Sequence, residues 1–271
     1  MDVVVNGTKD TLPPKAAPLL HQANYYYHLL ILLGFTEEQF PLASLLCHYH
    51  GLEGPWLIAS PIYWSATHND AMISATGEAL ELTEEESHQL FTDVADFLEP
   101  EGFTLLYHDA ETWLLSITNK PLIASEPLPS LLGRSLMPVL AKLDSTLYWQ
   151  RLFTEMQMFL SNHPVASKRE NKLPINGLWF WGEGSFRLNS HRLIATDDEY
   201  LLALANPQNH LIALQESTVL TKNHLLLIRH PETIKRCRLE EKIKKHKAQW
   251  YWNNLAYSIP ASPWWSKLWR V

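Results

Sequence analysis

Apolar residues recur along this chain at helical spacing in some stretches and on alternate positions in others, so helices and strands interleave. Ala17 to Leu33 has the helical pattern and is closed by Gly34, and Thr36-Glu37-Glu38 opens a second helix that reaches about Tyr49. Trp56–Trp64 and Ala71–Ala75 read as strands joined by the polar turn Thr67-His68-Asn69-Asp70. Thr83, followed by three glutamates, starts a helix whose stripe of Leu90, Val94, Phe97 and Leu98 faces a core. Phe103–Tyr107 and Thr112–Ile117 form a hairpin, Pro121 to Pro138 is broken by prolines, and Leu147–Ser161 is again amphipathic. Further on, His191–Ala195, Leu211–Leu214 and Leu225–Ile228 are strand-like, and Asp197-Asp198-Glu199 places carboxylates where a helix N-terminus favours them. Arg238 to about Asn253 reads as one helix with a basic middle. The expected class is α/β (or α+β), a mixed sheet flanked by helices. Residues 1–16, polar and punctuated by Gly7, Pro13 and Pro14, read as a loose arm, followed by lobes over 17–165 and 166–271.

One segment breaks the even texture. Three of the ten glycines, Gly177, Gly182 and Gly184, surround Trp179, Phe180 and Trp181. Leu178 to Trp181 would alternate faces as a strand, and both faces are apolar, which predicts a central strand buried on both sides. The Gly182-Glu183-Gly184 exit can take positive φ and lets backbone or ligand approach closely.

Composition narrows the function classes. Of the 271 residues, 46% are hydrophobic and 19% charged, enough for a real core. The net charge of −7 argues against a dedicated nucleic-acid binder. Two cysteines, no basic and apolar leader pattern and no apolar run near the ~20 residues of a bilayer span predict a soluble, cytoplasmic protein. Tryptophan is abundant, and the tail Pro263–Val271 combines Trp264, Trp265 and Trp269 with two cations. That tail predicts packing back on the protein, or a peripheral membrane contact.

The segment from His163 to Gly184, with His163, Arg169, Asn176, Trp179, Trp181, Gly182 and Gly184, resembles a segment of archaeal-type cofactor-independent phosphoglycerate mutases. With Glu155–Pro164, Ala59–Tyr63 and the tail Trp265–Arg270, it is closer still to a bacterial family labelled RpfE-type regulatory or phosphoglycerate-mutase-like proteins. Ala166 stands where the mutases have Asn, and Asn171 where they have Gly. The resemblance implies a reduced alkaline-phosphatase-like core. In those enzymes two metal ions held by Asp and His, with a Ser nucleophile, stabilise a transferring phosphoryl group. The metal motifs need Asp-Gly and Gly-His dipeptides, and this chain has neither. In Leu225–Ile234, Arg229 stands where a metal-binding Asp belongs, and a guanidinium there opposes a metal.

The expectation is therefore a non-catalytic, degenerate relative with a binding or regulatory role, with no catalytic residue, metal ligand or cofactor. Its partner would be a protein or a small anionic ligand, and the candidate ligand contacts are His163, Arg169, Asn176, Gly182 and Gly184. The alternative is a metal-dependent phosphoryl-transfer enzyme using Mn²⁺ or Zn²⁺. Other constellations are weaker. Arg229-His230-Pro231 is similar to the start of histidine phosphatases, but Pro231 replaces the glycine and too little chain follows. Cys47, His48 and His50 have zinc-ligand types, yet His48 and His50 lie about 200° apart on a helix, so structural histidines are expected.

Overall fold

The computed structural model describes residues 1–19, 23–36, 39–66, 70–188, 190–206 and 209–261. In chain order the elements begin with β1 (Asp2–Val5), β2 (Ala17–Pro18), α1 (Tyr25–Leu32), α2 (Leu42–His50), β3 (Trp56–Ala66) and β4 (Ala71–Thr76). After a 3-10 turn at Gly77–Leu80 come α3 (Glu84–Leu98), β5 (Thr104–Asp109), β6 (Thr112–Ser116), α4 (Leu128–Leu131) and α5 (Met137–Leu140). They are followed by α6 (Tyr148–Ser161), α7 (Pro164–Lys168), β7 (Gly177–Trp181), β8 (Ile194–Thr196), α8 (Glu199–Leu202) and β9 (Leu211–Ala213). The last are β10 (Leu225–Ile228), α9 (Glu232–Arg236), α10 (Leu239–Ile243), β11 (Ala248–Trp252) and β12 (Ala256–Ile259). The class is α/β, with two sheets rather than the single one expected around Leu178–Trp181.

The chain divides into two compact units, Met1–Phe35 with Arg187–Val271, and Thr36–Phe186. This differs from the expected lobe boundary near residue 165 and from the expected loose arm. Asp2–Val5 is a strand inside the first unit's sheet, and Val3, Val4 and Val5 are fully buried. Three β-branched residues suit a strand covered on both faces, and so short an apolar run is easily outweighed by the polar and proline-rich residues after it.

In the first unit the strand order is β2-β12-β11-β1-β10-β8-β9. β11, β1, β10, β8 and β9 run parallel, β12 runs antiparallel to β11, and β2 runs antiparallel to β12. Val3 pairs with Leu226 on one side and Trp250 on the other. One face packs Val3, Val5, Leu226 and Ile228 with Leu239, Ile243, Trp250 and Trp252. Two expected helices are corrected here. The Ala17–Leu33 helix is confined to Tyr25–Leu32, capped by the Asn24 side chain accepting from the Tyr27 amide at 3.0 Å. The Arg238–Asn253 helix stops at Ile243, because Ala248, Trp250 and Trp252 alternate inward with period two as strand β11.

The second unit is organised on β3. Its Trp56–Ala59 stretch pairs with β6, Ile58–Ile62 with β7 and Ile62–Ala66 with β4, and β5 completes the hairpin with β6. β7 is buried at all five positions, as expected. Among the described residues its ladder is with β3 alone, so β3 is the central strand and β7 is not. Helix α6 covers β7, where Phe153 stacks on Trp179 at 4.9 Å and on Phe180 at 5.0 Å. Helix α3 starts with a capping box. The Thr83 hydroxyl accepts from the Glu86 amide at 3.2 Å, and Glu86 accepts from the Thr83 amide at 3.0 Å.

Candidate functional site

The segment singled out in the sequence, His163 to Gly184, is brought together in the second unit, where His163, Arg169, Lys172, Asn176 and Glu183 each meet a protein group. His163 caps α7. Its Nδ1 accepts from the Val165 amide at 3.2 Å, and its Nε2 lies 2.8 Å from Asp93 Oδ2 on α3. An accepting Nδ1 places the ring proton on Nε2, facing the carboxylate. The Arg169 side chain is fully buried. Nε donates to the Leu173 carbonyl at 3.0 Å, Nη2 donates to the Leu80 carbonyl, and Nη1 lies 2.9 Å from Glu86. For Glu86, burial works against the ionised form, but Thr83, Arg169 and Lys172 outweigh it and hold the carboxyl below its usual range. Asn171, where the resembling family has Gly, has φ +63°. Asn is among the residues that tolerate this left-handed region best after Gly, so the departure keeps the turn.

Asn176 acts as a backbone substitute. Its Oδ1 accepts from the Trp64 amide at 2.7 Å and its Nδ2 donates to the Trp64 carbonyl at 2.8 Å, beside the register shift between Tyr63 and Trp64. Gly182 (φ +82°) is in the left-handed region, where a side chain is strained and here also crowded. A Cβ there would stand 3.1 Å from Ile58 and 3.3 Å from the Ala43 amide, which donates to the Gly182 carbonyl. Glu183 accepts from the Ser125 amide and hydroxyl, and Gly184 (φ +121°) lies against Pro41. The five expected ligand contacts thus build a junction of β3, β7, α2, α3 and the 3-10 turn.

A second group of charged residues collects where parallel strands point in the first unit. In open α/β sheets the crevice beyond the strands' carboxyl ends is the usual ligand position. Asp197 and Asp198 follow β8, and Arg229 and His230 follow β10. Asp197 accepts from the Arg229 amide at 2.7 Å and the His230 amide at 3.3 Å. Asp198, fully buried, caps α8 by accepting from the Tyr200 and Leu201 amides at 3.0 and 3.2 Å. The Arg229 guanidinium lies 3.6 Å from Asp198 and 4.0 Å from Glu199, and 4.5 Å over the Tyr200 ring. His230 Nε2 is 3.5 Å from Glu199. The Tyr25 hydroxyl approaches the other Asp198 oxygen at 3.5 Å. Burial first, then the Asp198 charge, raises the Tyr25 phenol well above its ordinary pKa.

At the carboxyl ends of β8 and β10 the described residues do not fit a two-metal centre. The Asp197 oxygens accept backbone amides, Asp198 is taken up by a helix cap and by Arg229, and the guanidinium already places positive charge beside Asp198 and Glu199. Among the described residues no group of three or more His, Cys, Asp or Glu could hold a metal ion. The sequence showed Arg229 and the acidic triplet but not their meeting, which joins residues about thirty apart.

Among the described residues no helix is long and apolar enough to cross a membrane. The Trp264, Trp265 and Trp269 tail lies outside the described residues. Cys47 is buried, and burial pushes its thiol up to about 11, as for an inert core cysteine.

No family model and no curated protein matches the chain. Among solved structures it is similar to a cofactor-independent phosphoglycerate mutase from Thermoplasma acidophilum DSM 1728, with 13% identity and a TM-score of 0.34, over 95% of this chain and 88% of that chain.

Proposed function

We propose that this protein is a non-catalytic binding protein: a degenerate phosphoglycerate-mutase-like chain in which a guanidinium has replaced metal, with a regulatory role of the RpfE type. Arg229 carries the reading. Its charge at the carboxyl ends of β8 and β10, beside Asp198 and Glu199, compensates the acidic pair internally. A small anionic ligand would meet Arg229 and His230 at this rim, where the side chains are 25% and 45% exposed. It would not meet His163, Arg169 or Asn176, whose polar atoms face protein groups.

The test is to measure bound metal, and phosphatase and mutase turnover with Mn²⁺ or Zn²⁺, on purified protein. In parallel, a phosphorylated three-carbon acid is titrated against wild type and Arg229→Gln. The expected result is no turnover, with saturable ligand binding that the variant loses. Two tightly bound equivalents of metal together with turnover would establish the phosphoryl-transfer enzyme instead.

A further inference from the structure

Away from both regions described above, His50 and His108 meet across 58 residues of sequence. His50 Nε2 stands 2.8 Å from His108 Nδ1, with the rings nearly perpendicular at 84°. His50 is the exposed last residue of α2, and His108 lies near the end of β5 with its side chain 14% exposed. We propose that His50 and His108 form an open binding site for a divalent transition-metal ion of the zinc class, with Asp109 as its supporting carboxylate.

Three independent features favour a cation here. First, two imidazole nitrogens already point at one another. Zinc–nitrogen bonds of about 2.0–2.1 Å at a tetrahedral angle need a separation of about 3.3 Å, so the pair opens by only about half an ångström. Second, α2 ends at this point. Its C-cap Gly51 sits at φ +64°, and the carbonyl end of a helix carries partial negative charge that attracts cations. Third, Asp109 Oδ2 lies 3.8 Å from His108 Nε2, the nitrogen facing away from His50. At that distance the carboxylate makes no direct hydrogen bond, but its charge favours the ring proton on Nε2 and so leaves the Nδ1 lone pair for the metal.

With His108 protonated on Nε2, His50 Nε2–H donates to His108 Nδ1 in the free protein; on binding that proton leaves His50 Nε2 and one is taken up on His50 Nδ1, so both rings stay neutral. No third His, Cys, Asp or Glu completes the set among the described residues. Of the described residues none is left to fill the remaining positions, which water or an external ligand can take, as in sites that exchange their fourth ligand. The chain's Cys47-His48-Tyr49-His50 run suggested zinc-ligand types without a geometry, and the structure supplies a partner from another element.

The experiment is calorimetric titration of the full chain with Zn²⁺ at pH 7.5, with a circular-dichroism melt as a check on folding. One saturable equivalent is expected in the wild type. His50→Ala and His108→Ala should each lose it, with His50→Gln as a milder second variant. Asp109→Asn should weaken binding roughly ten- to hundredfold. His88→Ala, at an exposed position of α3, should leave it unchanged. At pH 5.5 the affinity should collapse as imidazoles protonate. No saturable equivalent in the wild type, or one that survives in folded His50→Gln and His108→Ala, overturns the proposal.

Discussion

Glu111 is the residue whose protonation the fold perturbs most usefully. It follows the β5–β6 turn, its amide donates to Asp109 at 2.9 Å, and its carboxyl packs against Gly77. Burial first, then the Asp109 and Glu78 charges, push its pKa up to about 7. The folded value lies above the unfolded value near 4.5, so folding favours the protonated form. Its contribution is fully present below about pH 4.5 and is lost as pH rises through about 7. Glu111→Gln should therefore flatten the pH dependence of stability over that window and make the protein more stable than wild type at pH 8. Urea melts of both proteins at pH 5 and pH 8 measure this. An equal response to pH in the two proteins would show that the carboxyl is not ionising against its surroundings.

At the level of elements, β3 and β7 show how side chains complete a ladder. Asn176 supplies the donor and acceptor that Trp64, 7% exposed, would otherwise lack. Asn176→Ala leaves two backbone groups unpaired and should cost about 1–3 kcal/mol. Trp181→Ala, in the same strand, removes a ring stacked on Phe40 at 6.0 Å and hydrogen-bonded to Ser60, and should cost about 3–5 kcal/mol. Chemical-denaturation midpoints should rank Trp181→Ala below Asn176→Ala, and a loss under about 1 kcal/mol in either would remove it from the core account. These elements also show what sequence can reveal. The Thr83 capping box, the β5–β6 hairpin and the two-sided burial of β7 follow from local pattern and were readable. β1 and β11 were not. Val3–Val5 is too short for its period to register, and the lysines before Ala248 carry helical propensity into a strand whose alternation starts only with the tryptophans. The site contacts fared worst, because Arg229 with Asp198, His163 with Asp93 and His50 with His108 are each set by tertiary pairing.

On the scale of the molecule, the unit Thr36–Phe186 is one continuous stretch, and the other unit is built from two pieces that flank it. Residues 36–186 expressed alone should fold with a cooperative melt, since β3–β7 and α2–α7 bury their own core. Residues 187–271 alone should not, because β1 sits between β10 and β11 and its removal splits the sheet into β12-β11 and β10-β8-β9, each with an unpaired inner edge. Adding a peptide of residues 1–35 should restore folded signals in an NMR spectrum, and a well-dispersed spectrum without it would show that β1 is dispensable. The same arrangement sets a timetable for the ribosome. β1 is made about 220 residues before β10, its first neighbour to be synthesised. At about 5–20 residues per second it waits roughly 10–40 s for a partner. During that interval the intervening unit has time to fold to completion, while three valines stay exposed to whatever chaperone meets the emerging chain.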